Sequence, residues 1–302
     1  ILKKAEELHE DLRNYGQLGD NEKPLVVSAI LLALCDPDFK IDNLTGDKIN
    51  TDGKKIYNSL SNYMDRVEVT PTTKKDKVLG QFNIIKDRTI LNALNDHLKK
   101  TPLKHFAEFL QKYILASVKN NSIEDVLGRF YGEFISFSGG DVQTLGVVLT
   151  PSHITELFCD LVDLKPTDRI LDPCCGTGGF LITAMHKMLA QSSLDMHLGI
   201  KRDQLFGFEI REDMFSIATT NMILRGDGKS NLENLDFLRF DVGAMRKKNL
   251  TVGFINPPYS QAKNKETAHL SEIHFIKHLL DGLADAARCA VIIPQAVMVG
   301  KT

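Results

Sequence analysis

The sequence predicts an α/β fold in which a mostly α-helical N-terminal domain precedes a Rossmann-like parallel sheet. In the first part of the chain, apolar residues recur at helical spacing without any competing strand-like alternation. After a loop-like segment at residues 137–141, short apolar strands alternate with helices, which is typical of a parallel sheet covered on both faces. A length of 302 residues leaves room for two domains, which we expect at residues 1–140 and 141–302.

The helices of the first domain are predicted from apolar positions three and four residues apart. Pro24 suits the first turn of a helix, and Ser122 followed by Asp125 resembles an N-terminal capping arrangement. Residues 70–80 are polar and include three lysines, so we expect a solvated loop there, with a phosphate contact as the alternative. The predicted helices of this domain are 1–18, 24–34, 84–98, 102–118 and 122–134.

The second domain is predicted to alternate strands with helices. Its predicted strands are 169–171, 205–208, 252–255 and 290–293, and its predicted helices are 152–162, 179–189, 213–224 and 271–283. In open sheets of this kind, ligands bind at the carboxyl ends of the strands. We therefore expect the functional residues to follow directly after strands.

The composition excludes several classes of protein. Hydrophobic residues make up 43% and charged residues 25%, so the chain is not generally disordered, and its apolar runs are too short to span a bilayer. Five cysteines, an odd number without paired spacing, indicate a reducing compartment and predict a cytoplasmic protein. A net charge of −2 leaves little surplus of Lys and Arg for nucleic acid, so any such contact would need a local basic surface or a partner.

A glycine-rich segment, Asp172–Phe180, follows a predicted strand and opens a predicted helix. Its glycines let the backbone turn sharply and let a ligand lie against it, while the helix start offers free N–H groups to negative charge. The spacing of Gly176, Gly178 and Gly179 matches neither the G-x-G-x-x-G fingerprint nor a phosphate-binding P-loop. The segment predicts a site for a nucleotide-like cofactor, and the alternative is a tight turn with a purely structural role.

An acidic residue, Glu209, ends the next predicted strand. A carboxylate in this position can accept hydrogen bonds from both hydroxyls of a ribose. The separation from Gly176 is 33 residues (209 − 176), longer than usual because residues 191–202 are inserted. The alternative is a surface carboxylate without a ligand.

The segment Asn256-Pro257-Pro258-Tyr259 comes directly after the predicted strand 252–255. The two prolines constrain the backbone and remove its N–H donors, so the Asn256 amide oxygen and the Pro257 carbonyl can both face a ligand as acceptors. Two acceptors facing one amino group would hold both of its hydrogens and localise the nitrogen lone pair. Tyr259 offers a flat face on which a planar group can stack. The segment therefore predicts chemistry on an amino group, and the alternative is a proline turn that ends a strand.

Together these motifs resemble those of amino-group methyltransferases that use S-adenosyl-L-methionine. The chain is more closely similar to the modification (M) subunit of type I restriction–modification systems, the N6-adenine DNA methyltransferases. Residues 145–151, which end in Thr150-Pro151, resemble the segment that precedes the glycine motif in that family. The resemblance covers almost the whole chain and implies a Rossmann-like class I methyltransferase sheet behind a helical domain.

The resemblance also implies roles for matched positions. Glu209 would bind the ribose, and Asp241 would meet the adenine amino group of the cofactor, with Asp236 as the alternative. The implied cofactor-binding residues are Thr150, Asp172, Gly176, Gly178, Glu209 and Asp241, and the implied catalytic residues are Asn256, Pro257 and Tyr259. Adenine N6 would attack the sulfonium methyl in line after the base is flipped out of the duplex onto Tyr259.

Metal catalysis is not predicted. Cys174 and Cys175 are adjacent, which is poor spacing for a tetrahedral site, and no second cysteine pair exists. His274 and His278 are four residues apart, but no Glu follows His274 as in zinc proteases. Positioning and electrostatics would supply most of the rate.

The family resemblance implies partners as well. They are double-stranded DNA with a flipped adenine, a DNA-specificity subunit, a second M subunit and, in some complexes, a restriction (nuclease) subunit, without a membrane. The chain starts without Met and stops inside an apolar stretch, so we expect the natural polypeptide to continue past Thr302. Three alternatives remain: a single-chain restriction enzyme–methyltransferase, a protein glutamine methyltransferase, and a non-catalytic scaffold with a methylase fold.

Overall fold

The computed structural model describes residues 2–115, 150–226, 231–259, 264 and 266–299. Residues 2–115 and 219–226 belong to one compact unit, and the other described residues belong to a second. The predicted boundary between residues 140 and 141, the predicted helix 122–134 and the segment 145–149 lie outside the described residues, so these remain predictions. Among the residues described, no helix has both the length and the apolar character needed to span a membrane.

The first unit is built from helices, as predicted. Helix α2 is buried along its length from Lys23 to Ala33, because nearly all of these residues are apolar. Lys23 is the one buried cation of this helix. Its Nζ donates a hydrogen bond to Asp20 Oδ1 (2.7 Å) and lies 2.9 Å from His9 Nε2. Burial, followed by the charge of Lys23, lowers the pKa of His9. The helices are α1 (Leu2–Asn14), α2 (Glu22–Cys35), α3 (Asp52–Arg66), α4 (Thr72–Gln81), α5 (Ile84–Asp87), α6 (Thr89–Asn92) and α7 (Pro102–Leu110).

Two predictions for this unit are wrong. Residues 70–80 do not form a loop but contain most of helix α4, which is anchored by the buried side chains of Lys74, Val78 and Leu79. The predicted helix 84–98 is broken into α5 and α6, and it ends where Asn92 Nδ2 donates to the carbonyls of residues 85 and 88. A polar side chain that competes for backbone groups ends a helix that apolar spacing alone would continue.

The second unit contains a five-stranded parallel sheet with strand order β3-β2-β1-β4-β5, so the predicted Rossmann-like α/β fold is confirmed. All residues of β1, β2 and β4 are buried, as expected for central strands covered on both faces. The strands are β1 (Ile170–Asp172), β2 (Leu205–Glu209), β3 (Asn231–Asn234), β4 (Val252–Ile255) and β5 (Arg288–Val291). The helices that follow residue 150 are α8 (Ser152–Leu161), α9 (Gly179–Ala190), α10 (His197–Asp203), α11 (Glu212–Leu224), α12 (Val242–Lys247), α13 (Glu272–Gly282) and α14 (Gln295–Val299). Residues 219–224 of α11 belong to the first unit.

Two strands differ from the prediction. Strand β3 was not predicted, because Leu232 is its one apolar residue; it forms by pairing in parallel with β2. Strand β5 begins two residues earlier than predicted, at Arg288. The Arg288 guanidinium donates to the buried Asp168 and to the backbone carbonyl of Asp163, which ties the start of this strand to the loop before β1.

Aromatic packing joins the sheet to the helices on one side. Phe180, in the first turn of α9, stacks on Phe158 of α8 and on Phe254 of β4, with ring centroids 5.3 Å apart in both pairs, and the rings of Phe158 and Phe254 are 6.3 Å apart. Phe180 is therefore a core residue. This packing fixes the start of α9, and with it the glycine-rich segment that leads into the helix.

Substitution of Gly207 by Ala is expected to destabilise the second unit by roughly 1–3 kcal/mol, because the site is already fully packed. A Cβ atom there would lie 2.5 Å from a Leu232 methyl and 2.9 Å from a Leu181 methyl. The melting temperature, followed by circular dichroism, should fall by several degrees. The matched control is Gly80→Ala in α4, where a Cβ meets nothing within 4 Å and higher helix propensity should slightly stabilise the chain. Equal melting temperatures for the Gly207 variant and the wild type would contradict the packing argument.

Candidate active site

The three predicted motifs meet at one edge of the sheet. Strand β1 ends at Asp172 and lies between β2, which ends at Glu209, and β4, which is followed directly by Asn256. Because all three strands are parallel, their carboxyl ends point the same way. The topology therefore brings together residues that are up to 84 positions apart in sequence (256 − 172).

The glycine-rich segment forms a tight turn with open space beside its backbone. Gly176 has φ +53° and Gly178 has φ +88°, left-handed conformations that favour glycine. A Cβ atom built on Gly176 or Gly179 would meet nothing within 4 Å, so the backbone can be approached closely there. Gly178 is also the N-cap of α9, so the free N–H groups of that helix begin at this turn.

Glu209 is tied to the glycine turn. Its Oε2 accepts a hydrogen bond from the Gly176 N–H (2.9 Å), and its Oε1 accepts one from the Arg211 N–H (2.9 Å). The side chain is 9% exposed; burial raises the pKa of this carboxyl, while the two backbone hydrogen bonds act in the opposite direction. The turn and the strand end are thus held together by a buried carboxylate.

Asp172 is the more deeply buried acid. It is 1% exposed, and its Oδ1 accepts a hydrogen bond from the Cys174 N–H (3.2 Å). Burial, with a smaller contribution from the charge of Glu209, raises the pKa of Asp172 to about 8. Without a ligand, most of the Asp172 carboxyl groups are therefore protonated at neutral pH. A cation placed beside this carboxyl would favour its ionised form.

Asp236 and Asp241, the two candidate acids for the adenine amino group of the cofactor, both cap short helical segments; Asp236 Oδ1 accepts a hydrogen bond from the Leu238 N–H (3.1 Å). Burial, followed by the charges of Asp172, Glu209 and Asp236, raises the pKa of Cys174 well above its usual value. Asp241 is exposed and its Oδ1 accepts from the Ala244 N–H (2.8 Å), so it caps helix α12. The predicted cofactor contact of Asp241 and its alternative, Asp236, both remain predictions.

Asn256 and Tyr259 are linked by hydrogen bonds. The Asn256 Nδ2 donates to Thr150 Oγ1 (3.1 Å), and the Tyr259 hydroxyl donates to Asn256 Oδ1. Both side chains are half-buried, and Pro257 between them is buried. Burial, followed by the charge of Glu272, raises the pKa of Tyr259, so its hydroxyl stays protonated as a donor at neutral pH.

One candidate residue was missed by the sequence analysis. Ile210, directly after Glu209, is 65% exposed although it is large and apolar. Its backbone is held at this edge because Asn234 Nδ2 donates to the carbonyls of Glu209 (2.9 Å) and Ile210 (3.2 Å). The signal for Ile210 in the sequence is its position, an apolar residue directly after the acidic residue that ends a strand. A flat ring bound next to Glu209 could pack on it.

Within the described part of the chain, no three His, Cys, Asp or Glu side chains are arranged to hold a metal ion. Cys175 is buried and Cys174 is half-buried, and desolvation raises the pKa of both thiols well above the usual value, so neither is a thiolate at neutral pH. The groups available for chemistry at this edge are carboxyls, an amide, a phenol hydroxyl and backbone N–H groups.

Comparisons with known proteins show which family this sequence matches. A family model described as N-6 DNA Methylase matches residues 122–302. The "Type II restriction enzyme and methyltransferase RM.BcgI" of Heyndrickxia coagulans is 47% identical over 304 residues, covering 100% of this chain and 48% of that protein. The "Type I restriction enzyme EcoEI methylase subunit" of Escherichia coli is 22% identical over 282 residues, covering 86% of this chain and 52% of that protein.

A solved structure shares the fold. The type I restriction–modification system methyltransferase subunit from Streptococcus thermophilus superimposes with a TM-score of 0.60 at 16% identity, covering 100% of this chain and 75% of that one. At this identity the similarity concerns the fold. The chain spans about half the length of the curated relatives it matches.

Proposed function

The chain belongs to the N-6 DNA methylase family, and from this premise we propose that it transfers a methyl group from S-adenosylmethionine to adenine N6 in DNA, within a restriction–modification system. The observation that carries the proposal is the half-buried Asn256 amide, followed by two prolines and hydrogen-bonded to Tyr259, at the same sheet edge as the glycine turn. An amide oxygen and a proline carbonyl side by side suit an exocyclic amino group.

S-adenosylmethionine is the cofactor that the family implies, and the glycine turn fits it. The open space beside Gly176 admits a ligand against the backbone, and the buried acceptors Asp172 and Glu209 suit a cation and a ribose. We propose that Asp172, Gly176, Gly178 and Glu209 bind it, with Asp241 or its alternative, Asp236, for its adenine amino group. When bound, it supplies a methyl group on a positively charged sulfur, which is an electrophile for nitrogen.

Asn256 and Pro257 would act on the target nitrogen. The Asn256 Oδ1 and the Pro257 carbonyl would accept one hydrogen each from the amino group, which withdraws its lone pair from the ring and directs it outward. The prolines at 257 and 258 have no N–H that could compete for these acceptors. The nitrogen lone pair would bond to the methyl group that the cofactor supplies, the electron pair of the C–S bond would stay on sulfur, and the nitrogen would then lose one proton to water. No base is needed before the attack.

The target adenine must leave the duplex to reach these groups, because a stacked base cannot enter a pocket at the sheet edge. In this arrangement the ring of Tyr259 would stack on the flipped base. The hydrogen bond from the Tyr259 hydroxyl to Asn256 Oδ1 would break, and Oδ1 would accept a hydrogen bond from the incoming amino group instead. The net charge of −2 offers little for phosphate binding. DNA recognition would therefore fall to a specificity subunit, and a second M subunit, a nuclease subunit or both would complete the assembly.

A second arrangement is favoured by one observation. The relative that is 47% identical over the whole of this chain is named as a restriction enzyme and a methyltransferase together. The same methyl transfer would then occur in a polypeptide that also cleaves DNA. The test is whether the full-length gene product cleaves unmodified DNA without any added subunit. Cleavage would support the single-chain arrangement, and cleavage that requires separate subunits would support the type I arrangement.

The function itself is tested by incubating the chain, together with a specificity subunit, with methyl-labelled S-adenosylmethionine and adenine-containing duplex DNA. We expect the label in DNA, and after hydrolysis to nucleosides it should co-elute with N6-methyl-2′-deoxyadenosine. Label that stays on protein after nuclease digestion would support the glutamine methyltransferase alternative. Absence of transfer by a folded chain that binds S-adenosylhomocysteine would contradict the proposal and support the scaffold alternative.

Replacing Tyr259 should separate its ring from its hydroxyl. Tyr259→Ala removes the stacking surface, and since base–aromatic stacking contributes about 1–3 kcal/mol per base, kcat/KM for DNA should fall roughly 10- to 100-fold. Tyr259→Phe retains the ring and removes a donor that occupies Asn256 Oδ1, so its kcat/KM should stay close to wild type. Steady-state kinetics with varied DNA concentration gives both values. An equal loss in the Phe and Ala variants would contradict the stacking role.

A further inference from the structure

The side chain of Thr150 contacts the amide of Asn256, the proposed catalytic residue. Thr150 Oγ1 accepts a hydrogen bond of 3.1 Å from Asn256 Nδ2, although the two residues are 106 positions apart in sequence. The other end of the same amide, Oδ1, accepts the hydrogen bond from Tyr259. Both ends of the Asn256 amide are therefore engaged, and each end has a distinct partner.

The two ends of an asparagine amide are chemically opposite. Oδ1 accepts hydrogen bonds, whereas Nδ2 only donates them. If the amide turned over, its NH2 group would face the amino group of the target base, and two donors would oppose one another. The final side-chain torsion angle of Asn has a broad, roughly two-fold distribution, so the residue itself does not favour the productive orientation.

Thr150 is well placed to restrict this rotation. It precedes Pro151, and a residue before proline is restricted to extended backbone conformations. Pro151 is the N-cap of α8, and its carbonyl accepts from the N–H groups of Ile154 (2.9 Å) and Thr155 (3.2 Å). The hydroxyl that meets Asn256 is thus attached to the start of a helix and not to a free loop.

Helix α8 is in turn fixed to the helix that follows the glycine turn. The hydroxyls of Thr155 and Thr183 lie 2.7 Å apart, and Phe158 of α8 stacks on Phe180 of α9. The position of Thr150 is therefore coupled to the elements that form the cofactor edge. A hydrogen-bonding partner held in this way restricts the position and plane of the Asn256 amide.

We propose that Thr150 is a positioning residue whose hydrogen bond with Asn256 holds the amide in place beside the target amino group. This inference rests on the proposed methyl transfer and differs from the cofactor contact that the family resemblance implies for Thr150. It predicts an effect on the chemical step at saturating cofactor. A cofactor contact predicts an effect on cofactor affinity instead.

The test compares Thr150→Val with Thr150→Ser in the full chain. Valine has nearly the shape of threonine and accepts no hydrogen bond, whereas serine retains the hydroxyl. We expect kcat at saturating S-adenosylmethionine and DNA to fall about tenfold for Thr150→Val, the scale of one lost hydrogen bond in the transition state, and to stay near wild type for Thr150→Ser. The dissociation constant of S-adenosylhomocysteine, measured by titration calorimetry, should be unchanged in both variants.

A readout that does not depend on activity is the side-chain amide resonance of Asn256, assigned by its loss in Asn256→Ala. In the wild type we expect one hydrogen-bonded conformation, and in Thr150→Val we expect a shifted or broadened resonance that Thr150→Ser restores. A wild type without methyl transfer would refute the proposed function, whatever Thr150 does. With an active wild type, the inference is refuted if Thr150→Val keeps the wild-type kcat, if Thr150→Ser is equally impaired, or if only S-adenosylhomocysteine affinity falls.

Discussion

Asn256→Ala is expected to lower kcat for methyl transfer by about two to three orders of magnitude while cofactor binding is retained. The amide oxygen of Asn256 is one of two proposed acceptors for the target amino group, and removal of one pre-organised group of this kind typically costs a factor of about 10² to 10³. Asn256 follows β4 and contacts Thr150 and Tyr259, but it makes none of the hydrogen bonds that close the glycine turn. The cofactor site should therefore remain intact.

The measurement is single-turnover methyl transfer to DNA, combined with calorimetric binding of S-adenosylhomocysteine. Asn50→Ala is the matched control, because Asn50 is an exposed asparagine in the helical unit and its loss should leave both values unchanged. If Asn256→Ala transferred methyl groups at a rate within a few fold of wild type, the role assigned to the amide would be wrong. If it failed to bind S-adenosylhomocysteine, the effect would be on the fold of the site.

The stability of the ligand-free chain should fall as the pH rises from about 4 to about 8, and Asp172→Asn should remove a large part of this dependence. The pKa of Asp172 is raised to about 8 by burial, compared with about 4 for an ordinary aspartate. Between these values the folded chain binds a proton that the unfolded chain releases. The free energy of unfolding therefore decreases with rising pH, by at most about 1.4 kcal/mol per pH unit for one group.

Urea unfolding of the wild type and Asp172→Asn at several pH values between 5 and 8 tests this prediction, since contributions from the other groups cancel in the difference. The asparagine variant should gain stability relative to wild type as the pH increases, because its amide has no charged form. The pKa of Glu209 is also raised by burial, so Glu209 contributes a dependence of the same sign in both proteins. If the free energies of unfolding of the two proteins changed with pH in parallel, Asp172 would be ionised in the folded state throughout this range.

The fold class and the main motifs follow from local sequence, and the particular elements show why. Helices α2 and α9 and strands β1, β2 and β4 have long or dense apolar patterns, so burial alone predicts them. Strand β3 has one apolar residue and forms through pairing with β2, which no local pattern reports. Helix α4 was mistaken for a loop because its lysines look solvated, although Lys74 is in fact buried.

The candidate site divides in the same way. By itself, the sequence determined that a glycine turn, an acid and the segment 256–259 each follow a strand, because strand ends and glycine or proline backbone preferences are local properties. Only the tertiary structure decided which groups meet, such as Glu209 with the Gly176 N–H and Asn256 with Thr150. Hydrogen bonds and burial depend on residues far apart in sequence, and those distances are set when parallel strands align.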